Sequence, residues 1–180
     1  RELSPFIPRP QGGDIPREYI PAVEKGVIAA LGKGPWSGFP VVDIRVVLSG
    51  GWFHEVDSSE MAFRACAETA FKKAFMRGNP ELLEPVMSVN VITPEEFAGG
   101  ITGGLCGKRG RIIGMEPQGN AQEIRALCPL ANLFGYTSEL RNATQGRASF
   151  TMHFERYEAV PYSIAEEVIE ERKKAREERR

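Results

Sequence analysis

The sequence predicts an α+β protein made of two successive units, and three observations predict it. Short runs in which apolar and polar residues alternate are separated by runs with apolar residues about every four positions, the periods of strand and helix. Gly78-Asn79-Pro80 interrupts both periods, so the chain divides near residue 80. Beyond that break the elements run β–α–β–β–α–β, a split-βαβ arrangement.

In chain order, the opening residues RELSPFIPRPQG hold three prolines and no periodicity, which predicts an extended lead-in and not a complete element. Asp14 is the expected cap of a first helix with Pro16 in its first turn, Pro21 being the alternative start. Tyr19, Val23, Val27 and Leu31 share one face of that helix, which Gly32 to Pro35 end. In residues 41–48, Val42, Ile44, Val46 and Leu48 alternate with Asp43, Arg45 and Val47, as a half-buried strand requires. No partner strand is evident upstream. Asp57, three residues before Glu60, is a helix-start signature, and an alanine-rich helix is expected over about 58–77.

In the second unit, residues 84–92 read as a strand with Val89 and Val91 on one face. Thr93-Pro94-Glu95-Glu96 reads as a capping box that opens a helix ending near 107–110. Residues 111–115 and 123–127 are expected strands around a turn at 117–120. A helix over 132–144 closed by Gly146 follows, and then a strand in which Ala148, Phe150, Met152 and Phe154 alternate with polar residues. Pro161 precedes a final helix from Ser163, whose later turns are almost all Glu, Lys and Arg and predict a solvated tail with i,i+4 ion pairs.

Composition narrows function. The chain is 42% hydrophobic with a net charge of −1, so it can bury a core and carries no global field towards nucleic acid or membranes. No apolar run reaches the roughly 18–20 residues that span a bilayer. Cys66, Cys106 and Cys128 are scattered in apolar or glycine-rich segments, which predicts reduced, buried small residues and no metal site. Of the two histidines, His153 falls on the polar side of the last strand. His54 lies beside Glu55, Asp57 and Ser58, which the helix start needs, so catalysis is not expected.

Two segments remain as candidate contact surfaces. Gly50, Gly51, Trp52, Phe53, His54, Asp57 and Ser58 form a loop between strand and helix. The paired glycines suit a sharp turn. Trp52 and Phe53 either fold back onto the core or reach a partner; aromatic stacking, an imidazole and a helix N-terminus suit irregular RNA. The second segment is the cationic turn Lys108, Arg109, Arg111, with no acidic residue between Phe97 and Met115. A phosphate-binding P-loop would need glycine where Thr102 stands and Ser or Thr where Arg109 stands, so that pattern fails. Glycines at 99, 100, 103, 104 and 107 weaken the preceding helix, a cost tolerated where something packs closely, either the sheet beneath or an RNA backbone above.

GGDIPREYIPAVEKG (residues 12–26), GWFHEVDSSEMAF (51–63), LLEPVMSVNVITPEEF (82–97) and PLANLFGYTSELRNATQGRASFTMHF (129–154) resemble the C-terminal third of bacterial-type elongation factor G. The resemblance implies a partial domain IV, with a ribosomal-protein-like βαβ, over residues 1–80. It implies a ferredoxin-like domain V over 81–160 and a charged helix over 161–180. The first strands and tip loop of domain IV, and the GTPase domain with its GTP and Mg, would lie outside this chain, leaving it without catalytic residues or cofactor. The resemblance further implies a cytoplasmic ribosome-binding part of a translocase. His54 would stand at the domain IV tip, which enters the small-subunit decoding region beside the transfer RNA–messenger RNA duplex. Lys108, Arg109 and Arg111 would face the large subunit near the sarcin–ricin loop and stalk base, with Gly107 standing where the family commonly has a further arginine. A ribosome-recycling or ribosome-protection paralogue is the alternative within the family. A stand-alone ferredoxin-like ligand-binding module is the alternative outside it.

Overall fold

The computed structural model describes residues 5–10 and 15–178, the side chain of Arg176 excepted. The expected Asp14 cap lies outside the described residues. The fold is α+β, and the chain forms two compact units, residues 1–80 with 166–180 and residues 81–165.

In the first unit the proline-rich opening is a strand after all. β1 (Phe6–Pro8) pairs in parallel with β2 (Val46–Leu48). Pro8 is tolerated because it ends a short strand in a two-stranded sheet, and Phe6 is buried. The strand expected over 41–48 shortens to its last three residues, since Asp43 takes a left-handed φ of 57° and Val42 is exposed. The first helix begins at the later of its two candidate prolines: a 3₁₀ turn spans Arg17–Tyr19, and α1 (Ile20–Gly32) carries Pro21 in its first turn. Its buried stripe is Ala22, Val23, Gly26, Val27 and Ala30. α2 (Glu60–Arg77) buries Ala67 and Phe71. A Cβ added at Gly26 would strike the Arg64 carbonyl oxygen and lie 3.0 Å from the Ala67 Cβ, so α1 and α2 meet backbone to backbone at that point.

The second unit contains β3 (Leu83–Pro94), α3 (Glu95–Gly107), β4 (Arg111–Gln118), β5 (Ala121–Pro129), α4 (Tyr136–Thr144) and β6 (Ser149–Ala159). Its sheet has the antiparallel order β4-β5-β3-β6, which gives the split-βαβ, ferredoxin-like topology. Opposed residues in an antiparallel ladder share a face. Val89 opposite Ala126 and Val91 opposite Ile124 therefore line one side, where they bury against Ala98, Ile101 and Leu105 of α3 and Tyr136 and Leu140 of α4. β4 and β5 turn through Gly119, whose φ of +62° suits a two-residue hairpin.

Two helix starts differ from their sequence signatures. The capping box at Thr93 does not form: β3 runs on to Pro94, so Thr93 stays extended opposite Gln122, fully buried, and Pro94 takes the cap position without a side-chain bond. The Thr93 hydroxyl has no hydrogen-bond partner among the described residues. α4 begins at Tyr136 and not near residue 132, because Gly135 in the left-handed region (φ 79°) follows a 3₁₀ turn at Leu130–Asn132.

α5 (Tyr162–Glu177) is not wholly solvated along its charged half. The Arg172 guanidinium lies 3.7 Å from the Phe39 ring centroid and donates to the Gly38 carbonyl at 3.2 Å, both within the first unit.

The glycines of α1 and α3 should behave oppositely. Gly26→Ala should lower stability by about 1–3 kcal/mol through overpacking. Gly104→Ala, whose Cβ would meet nothing within 4 Å, should raise it by about 0.5–1 kcal/mol. Thermal or urea unfolding of the two variants measures both, and a stabilised Gly26→Ala would contradict the close helix contact.

Candidate nucleic-acid interface

The two surfaces singled out in the sequence lie in different units, and each has its own geometry. In the first unit, the loop after β2 is fixed at its base. Gly51 does not need a left-handed backbone, and neither does Gly50. Gly51 instead allows close approach, since a Cβ there would come within 2.6 Å of Ile15 Cδ1. Phe53 folds back, its ring 5.8 Å from that of Tyr19, and Tyr19 stacks on Phe63 of α2 at 4.7 Å. Trp52 points the other way and is 87% exposed. The two aromatics divide between the two outcomes that the sequence left open.

Beyond them the loop closes on itself. The Ser58 N–H donates to the His54 carbonyl at 3.0 Å, and the His54 N–H donates to Ser58 Oγ at 2.9 Å. The exposed imidazole places Nδ1 3.4 Å from the Val56 backbone nitrogen and 3.3 Å from Asp57 Oδ2. A bare Nδ1 accepts from the Val56 N–H, whereas an Nδ1–H donates to Asp57, so the two contacts exclude one another. Neither uses Nε2. Asp57 is therefore a partner of the imidazole and not the helix cap. Ser59 caps α2, its Oγ accepting from the Ala62 N–H at 3.1 Å. Ser58 Oγ is taken by the backbone and is not paired with the imidazole. A shallow depression of about 410 Å³ lies along Ala65, Cys66, Thr69, Ala70 and Lys73 of α2, away from the imidazole. Among the described residues no group of three or more His, Cys, Asp or Glu could hold a metal ion, and no helix is long and apolar enough to cross a membrane.

In the second unit, α3 ends in the basic turn. Lys108 is its C-cap and Arg109 takes the left-handed position (φ 62°) that glycine usually fills, with the Gly110 N–H returning to the Leu105 carbonyl at 2.8 Å. The local sequence lacks acids, but the fold supplies one to each cation. Lys108 Nζ lies 2.9 Å from Glu139 Oε2 on α4. Arg109 grips Glu84 of β3 with both terminal nitrogens, and the Glu84 side chain is only 12% exposed. Arg111 meets Glu158 of β6 at 2.6 Å, and Arg156 joins it at 2.7 Å. The Arg111 hydrogen bond, helped by Arg156, holds the Glu158 carboxyl below its ordinary pKa.

Of the three cysteines expected to be buried only Cys128 is, Cys66 and Cys106 lying on outward faces of their helices. Beneath the turn, Cys128 donates to the Lys108 carbonyl at 3.3 Å and burial pushes its thiol up. Burial likewise pushes Tyr136 up to about 12. These groups stay neutral and pack. The five glycines of α3 do not serve the sheet, because a Cβ at 99, 100, 103, 104 or 107 would meet nothing within 4 Å.

Sequence reasoning missed Tyr19 as the anchor of the tip and the three counter-ions of the basic turn. Tyr19 was legible only as a member of an apolar stripe. Glu84, Glu139 and Glu158 lie 25 to 47 residues from their partners, where no local pattern could flag them.

Comparison with known proteins covers both units. The family described as "Elongation factor G, domain IV" matches residues 5–79, and that described as "Elongation factor G C-terminus" matches residues 81–168. A crystal structure of a protein from Thermus thermophilus is similar with a TM-score of 0.83 and 38% identity, over 94% of this chain and 26% of that one. The chain thus spans about a quarter of that relative's length. With one of the family's domains matched to each of its units, the chain belongs to the elongation factor G family, carrying domain IV and the C-terminal domain V.

Proposed function

We propose that this chain is the ribosome-binding part of a translational GTPase of the translocase type, acting as a lever and making no bond itself. The observation that carries the reading is the tip: a loop anchored through Phe53 and Tyr19 that leaves Trp52 and His54 outward. A rigid loop loses little entropy on docking, so its contacts act at full strength when the tip enters the decoding region. Once there, it occupies the space beside the transfer RNA–messenger RNA duplex and opposes back-slippage. Domain V is the second footing, on the large subunit near the sarcin–ricin loop and stalk base. Its basic turn is a weak electrostatic contact, because each cation already has a carboxylate.

In the intact factor, His54→Ala should slow translocation several-fold and leave ribosome-stimulated GTP hydrolysis nearly unchanged. Rapid-mixing measurements of both steps decide the matter; equal loss of both would contradict a lever.

Lys108 and Arg109 should separate. Lys108→Ala should weaken ribosome binding and lower the salt slope by up to one phosphate contact, with a smaller loss of stability than Arg109→Ala because its partner Glu139 stays in water. Arg109→Ala should lower stability by about 2 kcal/mol, because it strands the mostly buried Glu84 carboxylate. An unchanged melting temperature for Arg109→Ala would show that the clamp carries no structural load.

A further inference from the structure

The tip surface that faces outward is aromatic and acidic. Trp52 is 87% exposed, and Glu55, Asp57 and Glu60 are exposed around it, with His54 the only group in residues 50–60 that can carry positive charge. The helix end behind it is partly capped: Ser59 takes the Ala62 N–H and Glu60 lies in the first turn. A phosphate backbone approaching this loop meets carboxylates, one of them Glu60 in the helix's own first turn, so the usual attraction of a helix start for anions is weakened. A nucleobase meets something different. The indole offers a π-face on which any base can stack, and carboxylates accept from exocyclic amino and ring imino groups. Gly50 and Gly51 precede the indole without side chains, and a Cβ at Gly50 would meet nothing within 4 Å, which leaves room for a ring to lie against it.

Resting on the ribosome-binding reading above, we infer that Trp52 is a base-stacking contact and that the tip engages RNA through an unstacked nucleobase, not through phosphates. The two neighbouring aromatics then have separate duties. Phe53 holds the loop to Tyr19, and Trp52 supplies the platform.

The chain has two tryptophans, so Trp36→Phe leaves Trp52 as the sole indole. In that background, titration with small ribosomal subunits should quench Trp52 emission, as stacking on a base does. W52A should weaken binding about ten-fold and W52F by clearly less, since one ring remains. The ratio between the parent and W52A should stay constant between about 50 and 200 mM salt, because no counter-ion is released at this contact. Unaltered melting of W52A, expected for so exposed a side chain, excludes misfolding as the cause. Binding with unquenched Trp52 and equal affinity of W52A would overturn the stacking contact while leaving the ribosome reading intact. A brighter, blue-shifted emission would assign Trp52 to an apolar protein pocket and overturn the nucleobase. A ratio that collapses with salt would indicate phosphate contact and overturn it too. Failure of the chain to bind the subunit would remove the ribosome reading, and this inference with it.

Discussion

The ring of Tyr19 fixes the outward shape of the tip loop in the first unit. It sits at the end of the 3₁₀ turn that leads into α1, stacks on Phe63 in α2 and lies near Phe53 in the loop between them. One side chain thus ties together a helix start, a loop and a second helix that are far apart in sequence. Each aromatic pair contributes about 0.5–1.5 kcal/mol beyond the area it buries. Its larger consequence is directional: Phe53 is drawn inward while Trp52 beside it stays exposed. The close approach of Gly51 to Ile15 secures the same base from the other side.

Electrostatics gives the two surfaces different characters. A chain of net charge −1 needs local features to bind RNA. The basic turn of domain V looked like such a feature, yet Glu84, Glu139 and Glu158 neutralise it from three separate elements. The pairs are unequal. Arg109 with Glu84 is mostly removed from water and acts as a clamp from the turn to β3, whereas Arg111 is largely exposed and screened by salt. The tip carries acids of its own and presents an exposed indole in place of a cationic cluster. The ribosome contact proposed for these parts would draw less on long-range attraction than on the fit of a rigid loop.

Much of the second unit was legible in the sequence because its signals were local. Val89 and Val91 alternate within β3, and the Pro117–Asn120 segment contains the one glycine its hairpin needs. Failures occurred where a local pattern met a stronger neighbour. Thr93 has the spacing of a cap, but nine ladder pairs between β3 and β5 carry the strand past it. Asp57 and Ser59 both suit an N-cap; only Ser59 precedes the first helical residue directly, and Asp57 turns to His54. β1 was hidden because a three-residue parallel strand has no pattern apart from its partner. At the candidate site, the loop and its residues could be named from the sequence. Which aromatic faces inward could not, because Tyr19 and Phe53 are separated by the whole of α1 and β2 and meet only in the fold.

The central claim is that the loop from Gly51 to Ser58 is the part of domain IV that meets the ribosome. Amide hydrogen exchange of the chain, free and bound to ribosomes, tests it directly. The account predicts new protection across residues 51–58 on binding, strongest around Trp52 and His54, with exchange at α1 unchanged. Protection confined to other segments, with the loop exchanging as fast bound as free, would contradict it.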